Sequence, residues 1–110
     1  MERLQQLLAA WSVKLFAVID HSGEAENVGF TMRPTKLLVF GNPKAGTPVM
    51  LAAPAAALDL PLKILVWEKP DSTVWLSYND STWLQQRHGI PAEVAANISV
   101  VDSLAAKVAE

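Results

Sequence analysis

The strongest constraint on this chain lies between residues 62 and 78, where two short runs alternate about a turn. Leu62, Ile64 and Val66 interleave with Lys63, Leu65 and Trp67, while Val74, Leu76 and Tyr78 interleave with Thr73, Trp75 and Ser77. Between them stands Lys69-Pro70-Asp71-Ser72, a cluster of turn formers. Period-two alternation broken by turn residues is the pattern of a β-hairpin. It permits Trp67 to face Trp75 across the pair, a contact worth about 0.5–1 kcal/mol.

Two further strands are legible. Val13 to Ile19 is rich in β-branched and aromatic residues and is closed by Asp20-His21-Ser22-Gly23-Glu24. Lys36 to Phe40 is a nearly unbroken apolar run, which predicts a central strand covered on both faces. Arg33-Pro34 keeps the approach to it extended.

Helical spacing fills the remainder. Leu4, Leu7, Leu8 and Trp11 share one stripe of a helix over about residues 2 to 10. This helix starts abruptly at Met1, with no capping residue ahead of it. A short turn is expected over 24 to 29. After a loop from Gly41 to Gly46, Thr47 is expected to cap a helix with Pro48 in its first position, ended or kinked by Pro54. Asp80 or Ser81 caps a helix from Thr82 to Arg87 that stops at Gly89. Pro91 opens a last helix striped by Val94, Ile98, Val101, Leu104 or Ala105, and Val108.

These elements predict a single α+β domain over residues 1–110. It is a two-layer sandwich with an approximately four-stranded, mostly antiparallel sheet and helices on one face. Half of the 110 residues are apolar (51%) and 18% are charged, a surplus that predicts self-association as a homodimer. The net charge of −2 is spread without blocks, so neither nucleic acid nor a membrane surface is an expected partner. Absence of cysteine excludes disulfides, thiol catalysis and cysteine-held metals. No apolar run approaches a membrane span and the first residues do not form a signal peptide, so the expected location is cytoplasmic.

Few residues suggest chemistry. Gly41-Asn42-Pro43-Lys44-Ala45-Gly46-Thr47 places two glycines at the spacing of a phosphate-binding loop, yet its lysine lies inside the loop rather than before Thr47. Pro43 also removes an N–H donor. The simpler reading is a tight connection; free N–H groups of the following helix, with Lys44 nearby, would still suit a small anionic ligand. His21 and His88 are the side chains with ordinary pKa values near neutrality, so an acid/base step would begin with them, and Asp20, Tyr78 and Asp80 could complete such a site. Their separation lacks metal-ligand spacing, so neither metal nor cofactor is expected. The hydroxyls of Ser22, Ser77, Ser81 and Thr47 stand in no nucleophile frame. Trp11, Phe16, Phe40, Trp67, Trp75 and Trp83 fit core or dimer packing, and Tyr78-Asn79-Asp80 fits a capping turn.

Taken together, Asp20-His21, Arg33-Pro34-Thr35, Phe40-Gly41-Asn42-Pro43-Lys44-Ala45-Gly46-Thr47-Pro48, Ala53-Pro54, Leu58 to Lys63, Val66-Trp67-Glu68, Ser77-Tyr78-Asn79-Asp80 and Arg87-His88-Gly89 resemble the DUF302 family of bacterial and archaeal proteins. The resemblance covers nearly the whole chain. It implies a compact two-layer α+β fold that associates as a dimer, and it supplies no assigned activity. Members of the family carry an additional strand before the first helix and a proline after Tyr-Asn-Asp, where this chain has Ser81. A shared site would fall around His21, Asn42, Lys44, Tyr78, Asn79 and His88, with Thr47 beside them. Two functions compete: a dimeric small-ligand or partner-binding module centred on the Gly41–Thr47 loop, and an enzyme using His21 or His88 as general base on a small anionic substrate. Convergence of both histidines with Tyr78 and Lys44 would favour the enzyme.

Overall fold

The computed structural model describes residues 2–109. Four strands, β1 (Lys14–Asp20), β2 (Thr35–Gly41), β3 (Leu62–Glu68) and β4 (Val74–Ser77), form an antiparallel sheet in the order β1-β2-β3-β4. Trp67 pairs directly with Trp75, as the alternation predicts. Six α-helices accompany them: α1 (Glu2–Ala10), α2 (His21–Asn27), α3 (Pro43–Ala52), α4 (Ser81–His88), α5 (Ala92–Ala95) and α6 (Val100–Ala109). The α+β reading of the sequence therefore holds.

Cross-strand partners share a face, and the register fixes which face is which. Leu38 opposes Ile64 and Phe40 opposes Leu62, and all four are buried. Against them pack Leu4 and Leu8 of α1, Val49 of α3, Leu84 of α4, and Val101, Leu104 and Ala105 of α6. The alternate residues form the other face: Ile19 opposes Leu37, Leu37 opposes Leu65, and Val39 opposes Ala17 and Lys63. Gly41, at its end, is the buried residue of that face, and its side chains are at most partly buried. The double-sided cover expected for Lys36–Phe40 is thus a single-sided one, because the helices that build the core all lie on one side.

Three helix boundaries differ from the sequence reading. The helix after β2 begins at Pro43, five residues before the expected Pro48, because Asn42 rather than Thr47 is the cap: its Oδ1 accepts from the Lys44 N–H at 2.9 Å. Gly41 to Gly46 is therefore a strand end and a helical first turn, and Pro48 lies inside the helix. The last helix is broken into α5, a 3-10 turn at Ala96–Ile98, and α6. In that break Ser99 Oγ donates to Ala96 O at 2.7 Å, the side-chain-to-backbone competition that interrupts helices.

The third difference concerns residues after β1, where α2 starts at His21 and not at 24. Asp20 caps it, accepting from the Gly23 N–H at 3.0 Å and the Ser22 hydroxyl at 2.7 Å. Those two bonds, with Lys36 nearby, hold the Asp20 carboxyl below its ordinary value of 3.8 against a smaller opposing effect of desolvation. A Cβ on Gly23 would stand 2.7 Å from Asp20 Oδ2, so a larger residue there would have to displace the capping carboxylate. By contrast α4 begins and ends as expected, with Asp80 Oδ1 accepting from the Trp83 N–H at 2.7 Å and Gly89 at φ 62°.

Candidate ligand-binding site

At the end of the sheet where β1 begins, β2 ends and β3 begins, the helical layer leaves a cleft of about 320 Å³. Its lining comes from several distant parts of the chain: Trp11 and Val13 before β1, Phe16 in it, Gly41 to Pro43 and Ala45 to Thr47 at the β2–α3 corner, Leu60 to Leu62, and Asn97, Ile98 and Val100. Apolar residues dominate. The amides of Asn42 and Asn97 and the hydroxyl of Thr47 supply the polar side chains.

Two local features open this space. The β1–β2 register slips between Leu15 and Ala17, a bulge with Phe16 as the additional residue. Bulges re-aim side chains, and here Phe16 lines the cleft while remaining 42% exposed. Gly41 is buried between two walls: a Cβ on it would stand 3.6 Å from Pro61 Cβ and 3.7 Å from the Phe16 ring. On the opposite wall Asn97 donates from Nδ2 to Ala45 O at 3.0 Å, which ties the 3-10 turn to α3.

Of the residues singled out in the sequence, Asn42 and Thr47 line the cleft. Lys44 is adjacent but exposed on the first turn of α3 and does not line it. His88 is mostly buried behind the cleft wall: its Nε2 lies 2.5 Å from Asp59 Oδ2, which also accepts from Arg87 at 3.0 Å. Leu60 and Ile98 pack beside that pair and also line the cleft. Asn79 shares a small depression with Asp59 and Lys63. Tyr78 lies along a shallow groove between β4 and α6.

His21 is far from all of these. Lys14 pairs with Gly41 and Asp20 pairs with Lys36, so His21 stands at the other end of the sheet, a strand length of about 20 Å away. The two histidines do not converge with Tyr78 and Lys44. Among the described residues no cluster of three or more metal-ligating side chains occurs.

Sequence reasoning missed Phe16, Trp11, Asn97 and Asp59. Of the six aromatics assigned to core or dimer packing, Phe40 is the one buried in the single chain. Asn97 stood beside the apolar stripe Val94-Ile98-Val101, which hid the helix break that carries it, so no sequence signal singled it out.

Comparison with known proteins agrees with this architecture. The crystal structure of an uncharacterized conserved protein DUF302 from Bacillus stearothermophilus superposes with a TM-score of 0.80 at 24% identity, covering 96% of this chain and 82% of that one. In sequence, the chain is 37% identical over 102 residues to the fluoride-specific ion channel FluC 1 of Brucella suis biovar 1 (strain 1330). It is equally similar to FluC 2 of Brucella melitensis biotype 1. The matched stretch is 91% of this chain but 40% and 38% of those proteins, so the chain spans about two-fifths of their length. Residues 1–108 match the domain of unknown function DUF302, and the chain belongs to that family.

Proposed function

We propose that this chain is a small-molecule-binding module whose ligand occupies the cleft beside Asn42 and Thr47. One observation carries the reading: a recess of about 320 Å³ with apolar walls and a few amide and hydroxyl groups, the usual composition of a small-molecule site. Its test is binding of a small-molecule library followed by amide chemical shifts. Hits that move Gly41, Gly46 and the Asn97 side chain support it, and a library whose hits all map elsewhere refutes it.

The enzyme alternative has less support. His21 stands at the far end of the sheet, His88 is engaged by Asp59, and no residue lining the cleft is an acid or base near neutrality. Conduction of fluoride, named for the Brucella relatives, is not part of the proposal: among the described residues no helix is long and apolar enough to cross a membrane. Self-association belongs to the proposal and draws support from the uncovered sheet face. So does a cytoplasmic location, testable by cell fractionation.

A further inference from the structure

The groups around the cleft narrow the chemical class of its ligand. No lining residue carries a charge of either sign. The first turn of α3 is where an anion would be sought, and its donors are already used. Pro43 has no N–H; the Lys44 N–H is held by Asn42 Oδ1 at 2.9 Å; and the Ala45 and Gly46 N–H groups both reach Asn42 O, at 2.9 and 2.8 Å. Two lysines stand close without lining the space: Lys44 on the exposed first turn, and Lys14, whose Nζ lies 4.9 Å from the centre of the Phe16 ring. A carboxylate or phosphate seated among these walls would lose water and meet no charged group in the lining, the lysines standing outside it, and an ammonium would fare no better.

What remains is neutral hydrogen-bonding capacity. Asn97 uses one Nδ2 hydrogen on Ala45 O, which leaves the second hydrogen and Oδ1 without a partner among the described residues. Asn42 keeps its Nδ2 and Thr47 its hydroxyl in the same condition. Around them Trp11, Phe16 and Pro61 offer rings, surfaces that favour an aromatic body.

Resting on the cleft being the binding site, we propose that its ligand is an uncharged aromatic molecule with an amide-like edge that both donates and accepts. The experiment uses 2-naphthamide and 2-naphthoate, which share shape and differ in charge, titrated into the full chain by calorimetry and followed by amide chemical shifts. Expected are shifts at Gly41, Gly46 and Asn97 and binding of the amide at least about tenfold tighter than the carboxylate. Thr47→Lys, an exposed position, supplies a cation at the cleft and shrinks that ratio several-fold. Gly46→Phe, at a lining residue where a Cβ meets nothing within 4 Å, is expected to crowd the cleft and abolish binding of both. Carboxylate binding that equals or exceeds amide binding, and is lost in Gly46→Phe, overturns the uncharged class and leaves the cleft standing. Failure of both probes to bind, or binding that survives Gly46→Phe, overturns the class and the cleft together.

Discussion

His88 Nε2 and Asp59 Oδ2 approach to 2.5 Å behind the cleft, in a place where the two side chains are 6% and 16% exposed. Asp59 ends the 3-10 turn at Pro54–Leu58, and His88 ends α4, so the contact ties two segments separated by 29 residues. Arg87 reaches the same oxygen from a far more exposed position.

This arrangement separates a latch from a surface ion pair. His88→Ala is expected to cost about 1–2 kcal/mol in urea unfolding, because it removes a largely buried hydrogen bond. Arg87→Ala, on an exposed pair, is expected to cost well under 1 kcal/mol. Asp59→Asn with His88→Ala should cost less than the two singles summed, since they report one contact. Equal losses for His88→Ala and Arg87→Ala would show that the burial of the histidine is not what matters.

Phe16 is the wall residue whose removal best isolates the cleft from the core. It occupies a bulge and is 42% exposed, so Phe16→Ala should cost no more than about 1 kcal/mol of stability. Affinity for an aromatic probe should fall about fivefold or more with the lost ring contact. Calorimetry with thermal unfolding of the same sample reads both quantities. Unchanged affinity would place the ligand away from the β1 wall.

Acid stability should depend on Asp20. Its carboxyl titrates below 3.8 because the Ser22 hydroxyl, the Gly23 N–H and Lys36 favour the charged form. A depressed native value means this contribution is present above pH 3.8 and disappears as pH falls below it toward the native value. Ser22→Ala removes the largest cause, so Asp20 should titrate closer to 3.8 in carbon-13 spectra and acid unfolding should begin at higher pH. Asp71, lowered by its own bonds to Thr73, serves as the internal control and should not move. An unmoved Asp20 in the variant would mean that the Gly23 N–H and Lys36, not the Ser22 hydroxyl, set its titration.

The chain wrote some of this plainly and some not at all. The Trp67–Trp75 register was legible because alternation and a tight turn are local, and each constrains the other. The start of α3 was misread because Asn42-Pro43 and Thr47-Pro48 are both sound cap-and-proline pairs; the strand ends at Gly41, which leaves the first of them in place to begin the helix. The break between α5 and α6 was hidden by an apolar stripe that continues across it, with Ile98, Val101 and Leu104 buried on both sides. The cleft was half visible: its Gly41–Thr47 corner is a motif, whereas Phe16, Leu60 and Asn97 meet it only through the sheet order.

The open sheet face carries the last prediction. Ile19, Leu37, Val39, Leu65, Trp67 and Trp75 lie on it, together with Lys14 and Lys63, and Lys69 reaches over its tryptophans. Trp67 is partly anchored by its Nε1 bond to Ser77 at 2.8 Å, and Lys69 sits over the Trp75 ring at 3.4 Å, so the aromatic end is ordered before any partner arrives. A second copy is the partner proposed for this face, since a two-fold interface needs one self-complementary patch and a largely apolar sheet face can supply one. Leu65 opposes Leu37 near the middle of it. The chain is therefore expected to sediment as a dimer at micromolar concentration, and Leu65→Lys as a monomer of similar thermal stability, since Leu65 is not buried in the single chain. Binding of 2-naphthamide should survive the substitution, because the cleft lies on the helical side. A wild-type mass equal to one chain would leave that face without the partner assigned to it.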